Sequence, residues 1–174
     1  MDNSLIRLVL PAPCHEASYH AMMAEWESFG GLLNPGALRL RGRSYAEWLA
    51  DISLCRTVPR TADSPPFTLF FAYNQADDMV GALVIRHYLA PSNSLDGGHV
   101  AYGVRPSCRR RGYATAMLAQ AVPLLRAMGE QAILVTCIAD NLGSETVIRR
   151  QGGVWESQFL DEHGIPTNRF WIQD

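Results

Sequence analysis

Lysine is absent from this 174-residue chain, so all 15 of its basic residues are arginine. A Schiff-base mechanism, a Walker-type phosphate lysine and a lysine general base are thereby excluded. Arginine keeps its charge at any working pH, so these residues can bind and orient but do not carry protons. Cysteine is scarce: Cys14, Cys55, Cys108 and Cys137 form no C-x-x-C pair, which argues against a zinc knuckle or a disulfide framework and predicts reduced thiols. His15, His20 and His163 lack metal-ligand spacing, and no metal is expected. Long apolar runs are missing too. The first, Leu5–Leu10, is broken by Arg7 and is too short for a signal-peptide core or a membrane span, so a cytoplasmic location with no membrane partner is expected. Net charge is small: 17 acidic residues against the 15 arginines give −2, which argues against a dedicated nucleic-acid binder.

What is present is apolar: 48% of residues are hydrophobic and 18% charged, the balance of one globular domain, 1–174, with a substantial core. Leu5–Leu10 reads as a strand stopped by Pro11 and Pro13. Tyr19, Met22, Met23, Trp26 and Phe29 recur at helical steps and predict a helix over Glu16–Phe29. Ser44 followed by Glu47 is a capping-box pattern that opens a second helix through Trp48, Ile52 and Cys55. Arg56–Pro66 reads as a connector, Phe67–Tyr73 and Met79–Leu89 as a hairpin, and His99–Val104 as a fourth strand. A helical face follows from Ala114 to Met128, ending at Gly129, with a kink or an early end expected at Pro123. Ile133–Ile138 reads as a strand covered on both faces. A short helix from Asp140 to Gly152 and a last pair, Val154–Leu160 and Asn168–Ile172, complete a mixed α/β domain.

Four of the 15 arginines, Arg105, Arg109, Arg110 and Arg111, fall within seven residues with no acid among them. They lie between a strand and a helix opening at Gly112, where unpaired amides and the positive end of the helix dipole meet. Gly112 has no Cβ to keep a ligand from the backbone, and Ala114 keeps the surface small. A diphosphate suits such a turn. The sequence Arg109-Arg110-Arg111-Gly112-Tyr113-Ala114 resembles the Q/R-x-x-G-x-G/A signature of the GNAT superfamily of acyl-CoA-dependent N-acyltransferases. Val104-Arg105-Pro106 stands where that family carries V-x-P, and Asn141, Ser144 and Gly152 are similar to its N-x-x-A/S…G pattern.

The resemblance covers essentially the whole chain. It implies the GNAT-like fold: a single central mixed, mostly antiparallel sheet, splayed between strands 4 and 5, with helices on both faces. It implies acetyl-CoA as co-substrate, its pyrophosphate on the amides of Arg109, Arg110, Arg111, Gly112, Tyr113, Ala114 and Thr115, and its pantetheine arm in the splay. The backbone near Val104 would hold the oxyanion, with Asn141 and Ser144 beside the arm. The acceptor would be a small-molecule or peptide amine; the chain is also compatible with a homodimer. Where many relatives carry a tyrosine acid, this chain has Ile148, with Tyr113, Ser144 and Cys137 as nearby substitutes. That departure also admits a non-catalytic acyl-CoA-binding regulatory domain.

Three questions stay open. His99 is either a general base, with its ordinary pKa of ~6.5, or a hydrogen-bonded strand histidine, and His87 shares the ambiguity. Asn141 is equally apt as a helix N-cap. Trp26, Trp48 and Trp171 line an acceptor pocket or simply the core, and Glu16, Glu25 and Glu27 border that pocket or form a solvated helix face.

Overall fold

The computed structural model describes residues 5–173; residues 1–4 and 174, the ends of the predicted domain, lie outside them. The amphipathic periods become helices where expected. Helix α1 spans Glu16–Phe29, with Tyr19, Met22 and Trp26 buried, while Phe29 is exposed. Helix α2, Tyr45–Leu54, opens on the expected reciprocal cap: Ser44 Oγ accepts the Glu47 amide at 3.2 Å, and a Glu47 carboxylate oxygen accepts the Ser44 amide at 2.8 Å.

The strands are β1 Arg7–Val9, β2 Phe67–Tyr73, β3 Met79–Arg86, β4 Val100–Val104, β5 Ile133–Ile138, β6 Val154–Leu160 and β7 Pro166–Ile172. β1 and β3 are shorter than the apolar runs suggest. Beyond β3, the Asn93 side chain accepts the Ala90 amide at 2.7 Å and donates to the Tyr88 carbonyl at 3.3 Å, curling the chain into a one-turn helix α3, Pro91–Ser94. Proline at its first position needs no intrahelical donor.

Helix α4, Tyr113–Ala127, does not end at Pro123. Pro123 is on the exposed face, where water can satisfy the carbonyl it leaves unpaired, while Ala121 and Leu125 on either side of it are fully buried. Packing on the inner face thus outweighs the local cost of the proline. The helix stops at Gly129, φ +104°, with Glu130 N–H donating to the Leu125 carbonyl at 3.1 Å and Gly129 N–H to that of Arg126 at 3.0 Å, the paired bonds of a Schellman motif. Helix α5, Leu142–Arg150, follows β5.

All the ladders are antiparallel, in two sheets of order β1-β2-β3-β4 and β5-β7-β6. The expected splay between strands 4 and 5 therefore divides the sheet. One core lies between the first sheet and α1 and α2, around Tyr19, Trp48 and Phe71. The other joins both sheets to α4 and α5, around Met117, Leu118, Val135, Ile148 and Phe170. The second core draws residues from both sheets and so joins them across the gap.

Candidate active site

The gap begins where two strands stop bonding. At its closed end the His99 amide donates to the Leu134 carbonyl at 2.8 Å, and the Leu134 amide donates to His99 Nδ1 at 2.9 Å. From there β4 pairs only with β3. Arg86 N–H donates to the His99 carbonyl and Arg105 N–H to that of Val80, both at 2.8 Å; between these, the antiparallel alternation directs the amides and carbonyls of Val100, Tyr102 and Val104 away from β3, toward β5. The carbonyls confirm that direction: Tyr102 O accepts from Asn34 Nδ2 at 3.0 Å, and Val104 O from Arg109 Nε at 3.3 Å. A strip of backbone without a strand partner, its carbonyls held by the Asn34 and Arg109 side chains, thus lines one wall of the gap, and an extended amide-bearing chain that displaces them can pair with it as an added strand.

At the open end the chain makes a one-turn 3₁₀ helix, Pro106–Cys108, held by α1. Glu25 accepts from Arg105 Nε at 2.5 Å and from the Ser107 amide at 2.6 Å. Burial raises its pKa, but these hydrogen bonds outweigh burial and hold the carboxyl below its ordinary value. Arg110 at φ +62° and Gly112 at φ +85° then reverse the chain. The Arg110 conformation costs a non-glycine residue about 1–2 kcal/mol. Gly112 is the N-cap of α4 and has no side chain to satisfy the first-turn amides, so those of Tyr113, Ala114 and Thr115 are open to an anion. The Tyr113 side chain turns into the core.

Arg109, Arg110 and Arg111 are exposed on this turn. Arg109 does not point at the amides: its guanidinium lies over the exposed Phe29 ring, 4.6 Å from the centroid, as well as on Val104 O.

On the α5 side of the gap, Asn141 is the α5 N-cap, its Oδ1 accepting the Ser144 amide at 3.0 Å. Ser144 Oγ is 2.8 Å from the Tyr102 hydroxyl, which spans the gap from β4. Burial raises the pKa of Tyr102 above its ordinary range. Cys137, on β5 beside Ser144, is pushed up to about 11, mainly by burial. Ile148 is fully buried in the core. Tyr102 is the residue that sequence reasoning passed over, because an apolar strand gives no sign of which tyrosine faces an unpaired edge. Gly103 is another: a Cβ there would lie 1.8 Å from the Asn34 carbonyl, so only glycine lets the α1–α2 loop rest on β4. Beside it, Trp26 Nε1 is buried with no partner among the described residues.

His99 is not placed to act as a base. It is fully buried, and Nδ1 is already an acceptor from Leu134, so the ring is neutral with its proton on Nε2, 3.2 Å from Glu130 Oε2. No lone pair is left for an amine proton. Burial lowers its pKa, against the pull of Glu130. His87 is likewise engaged, its Nε2 2.9 Å from the Thr68 hydroxyl. The four cysteines are free. Among the described residues no His, Cys, Asp and Glu cluster suits a metal, and no helix is long and apolar enough to cross a membrane.

The profile of the acetyltransferase (GNAT) family matches residues 24–152. No curated protein is a significant match. Solved structures do match in fold. A putative GnaT-family acetyltransferase from Bordetella pertussis is 15% identical with a TM-score of 0.65, covering 98% of this chain and 97% of its own. RimL, a ribosomal L7/L12 alpha-N-protein acetyltransferase in complex with coenzyme A, is 18% identical with a TM-score of 0.67, covering 98% and 96%. The spermidine/spermine N-acetyltransferase SpeG from Vibrio cholerae is 12% identical with a TM-score of 0.62, covering 98% and 93%. The splayed strands, the amide-rich turn at Gly112 and the matched profile agree, and the chain belongs to the GNAT family of acetyltransferases.

Proposed function

We propose that the protein transfers an acetyl group from acetyl-CoA to a primary amine by direct attack within a ternary complex. The observation that carries this reading is the unpaired β4 edge at Tyr102 and Val104 running toward the free amides at the start of α4. The two features are joined by one turn, as the arm and the pyrophosphate of one coenzyme A molecule are joined. The pyrophosphate is assigned to the amides of Arg109 to Thr115, with Arg110 and Arg111 as charge-assisted donors. Arg109 leaves Val104 O when the pantetheine arm pairs there. Asn141 caps α5 at the edge of the arm.

The amine attacks as the free base, its nitrogen lone pair forming the new C–N bond. The Val104 N–H donates to the carbonyl oxygen as it becomes an oxyanion. The C–S bond then breaks, the electron pair goes to sulfur, and the proton lost by nitrogen balances the one gained by the thiolate. A thiol of pKa ~8.5 leaves without a strong acid. Tyr102 O–H donating to Ser144 Oγ frees the serine hydrogen for the departing sulfur, which answers the loss of the helix tyrosine at Ile148. His99 holds the two strands together at the closed end.

The acceptor class is drawn broadly, since the solved relatives are named for a protein α-amino group and for polyamines. The test is thiol release from acetyl-CoA against polyamines, amino acids, aminoglycosides and N-terminal peptides. At least one amine should accelerate release and gain one acetyl group by mass. Tight acetyl-CoA binding with no turnover on any of them would make the protein an acyl-CoA sensor instead.

A further inference from the structure

At the end of the first sheet remote from the α4 turn, Arg86 closes β3. Its Nη1 donates to the carbonyls of Gly97 and Gly98 at 2.9 and 3.1 Å, and among the described residues no carboxylate is bonded to it. Asp96 acts on it only through space, its Oδ1 accepting from the Gly97 amide at 2.6 Å and from the Thr136 hydroxyl at 3.4 Å. Burial pushes the Arg86 pKa down, only partly offset by Asp96, as expected of a cation short of a counter-charge.

Beside Arg86 opens a cavity of about 240 Å³, lined also by Arg60, Thr61, Ser64, Ser92 and Asp96. Arg60 lies over the Phe67 ring, 5.3 Å from its centroid, and bonds Asp51 at 2.6 Å. Arg43 claims the same carboxylate oxygen at 2.9 Å. Of the charged residues that line the cavity, two are guanidinium groups, of Arg60 and Arg86, and one is a carboxylate, of Asp96, so its wall carries one net positive charge beside the hydroxyl groups of Thr61, Ser64 and Ser92. The cavity's volume is well beyond the roughly 10–15 Å³ of such space one water needs and leaves room for a compact anion.

We propose that this cavity binds a small oxyanion, a phosphate or a short carboxylate, between Arg60 and Arg86. The site is separate from the gap between β4 and β5 and does not depend on the transfer reaction. An occupant would tie the connector after α2, which carries Arg60, to the loop after β3. That loop is already fastened to β7, where Arg169 donates to the carbonyls of Ser94 and Leu95 at 2.7 and 2.5 Å. It leads directly into His99, so anion binding would brace the closed end of the gap.

Calorimetric titration with inorganic phosphate and with succinate, at constant ionic strength, tests the site. Because phosphate can also meet the amides of α4, the titration is repeated in Gly112→Glu. Arg60→Gln is the deciding variant: Arg60 is partly exposed, and Asp51 keeps Arg43 when it is replaced. One of the two anions should bind the wild type and Gly112→Glu alike and bind Arg60→Gln at least tenfold more weakly, and the anion that does so identifies the chemistry. Equal binding to wild type and Arg60→Gln, binding lost in Gly112→Glu, or no binding of either anion would each overturn the proposal.

Discussion

At φ +85° Gly112 holds a conformation that a side chain strains, yet a Cβ there would meet only Leu5 Cδ2, at 3.5 Å. Gly112→Glu should therefore cost about 1–2 kcal/mol of stability through backbone strain, keep the fold, and set a carboxylate against the phosphates. Acetyl-CoA should raise the melting temperature of the wild type and not of the variant; equal stabilisation of both would remove the site from this turn. His99 makes a different kind of prediction. Its folded-state pKa lies below the unfolded value of ~6.5, so the unfolded chain binds the extra proton. The stability it contributes is fully present above about pH 6.5 and is lost as pH falls toward the folded pKa. The gap in stability between wild type and His99→Asn should narrow from pH 7.5 to 5, while His15 and His87, also lowered by burial, remain in both proteins. Denaturant melts across that range read the difference; a constant gap would return His99 to the list of proton carriers. The turn between β4 and α4 was legible in the sequence because a glycine after a run of arginines marks it. The closed end was not, because a lone histidine looks the same whether its ring takes a proton from substrate or a hydrogen bond from Leu134.

Among the elements, helix caps and apolar periods were readable because they depend on neighbours three or four residues away. Ser44 with Glu47, α1 and the Gly129 stop all form as their spacing dictates. Strand ends were less so, since they depend on partners far along the chain: β3 ends where Asn93 captures Ala90 and Tyr88, and β4 begins only after His99 has turned to Leu134. Pro123 shows propensity yielding to packing. Since it sits on the exposed face of α4 and leaves the Ala119 carbonyl without its helix donor, Pro123→Ala should stabilise the protein by about 1 kcal/mol, the restored hydrogen bond exceeding the entropy returned to the unfolded chain. An increase in melting temperature, with acetyl-CoA binding unaltered, is the expected result. A decrease would mean that the proline is needed to shape α4 against the second core.

For the molecule as a whole, the division of one sheet into two is what leaves a strand edge inside the fold. Seven strands in continuous register would leave no unpaired edge inside the fold; here β4 pairs along its length with β3 only, while Ile133, Val135 and Phe170 of the second sheet pack into the core it shares with the first. The family's fold could be anticipated from the order of elements, but the seat of the α1–α2 loop on β4 could not, because Asn34, Gly103 and Trp26 meet there from distant parts of the sequence and carry no motif. The missing lysines mean that every permanently cationic side chain is a guanidinium, whose charge does not change with working pH.

The most direct measurement is a crystal structure with coenzyme A. The pyrophosphate should lie about 3 Å from the amides of Tyr113, Ala114 and Thr115. The pantetheine arm should pair with the Tyr102 and Val104 edge, with Arg109 displaced from the Val104 carbonyl and the sulfur near Ser144. Coenzyme A bound elsewhere, with Asn34 still on the Tyr102 carbonyl and Arg109 still on that of Val104, would contradict this placement.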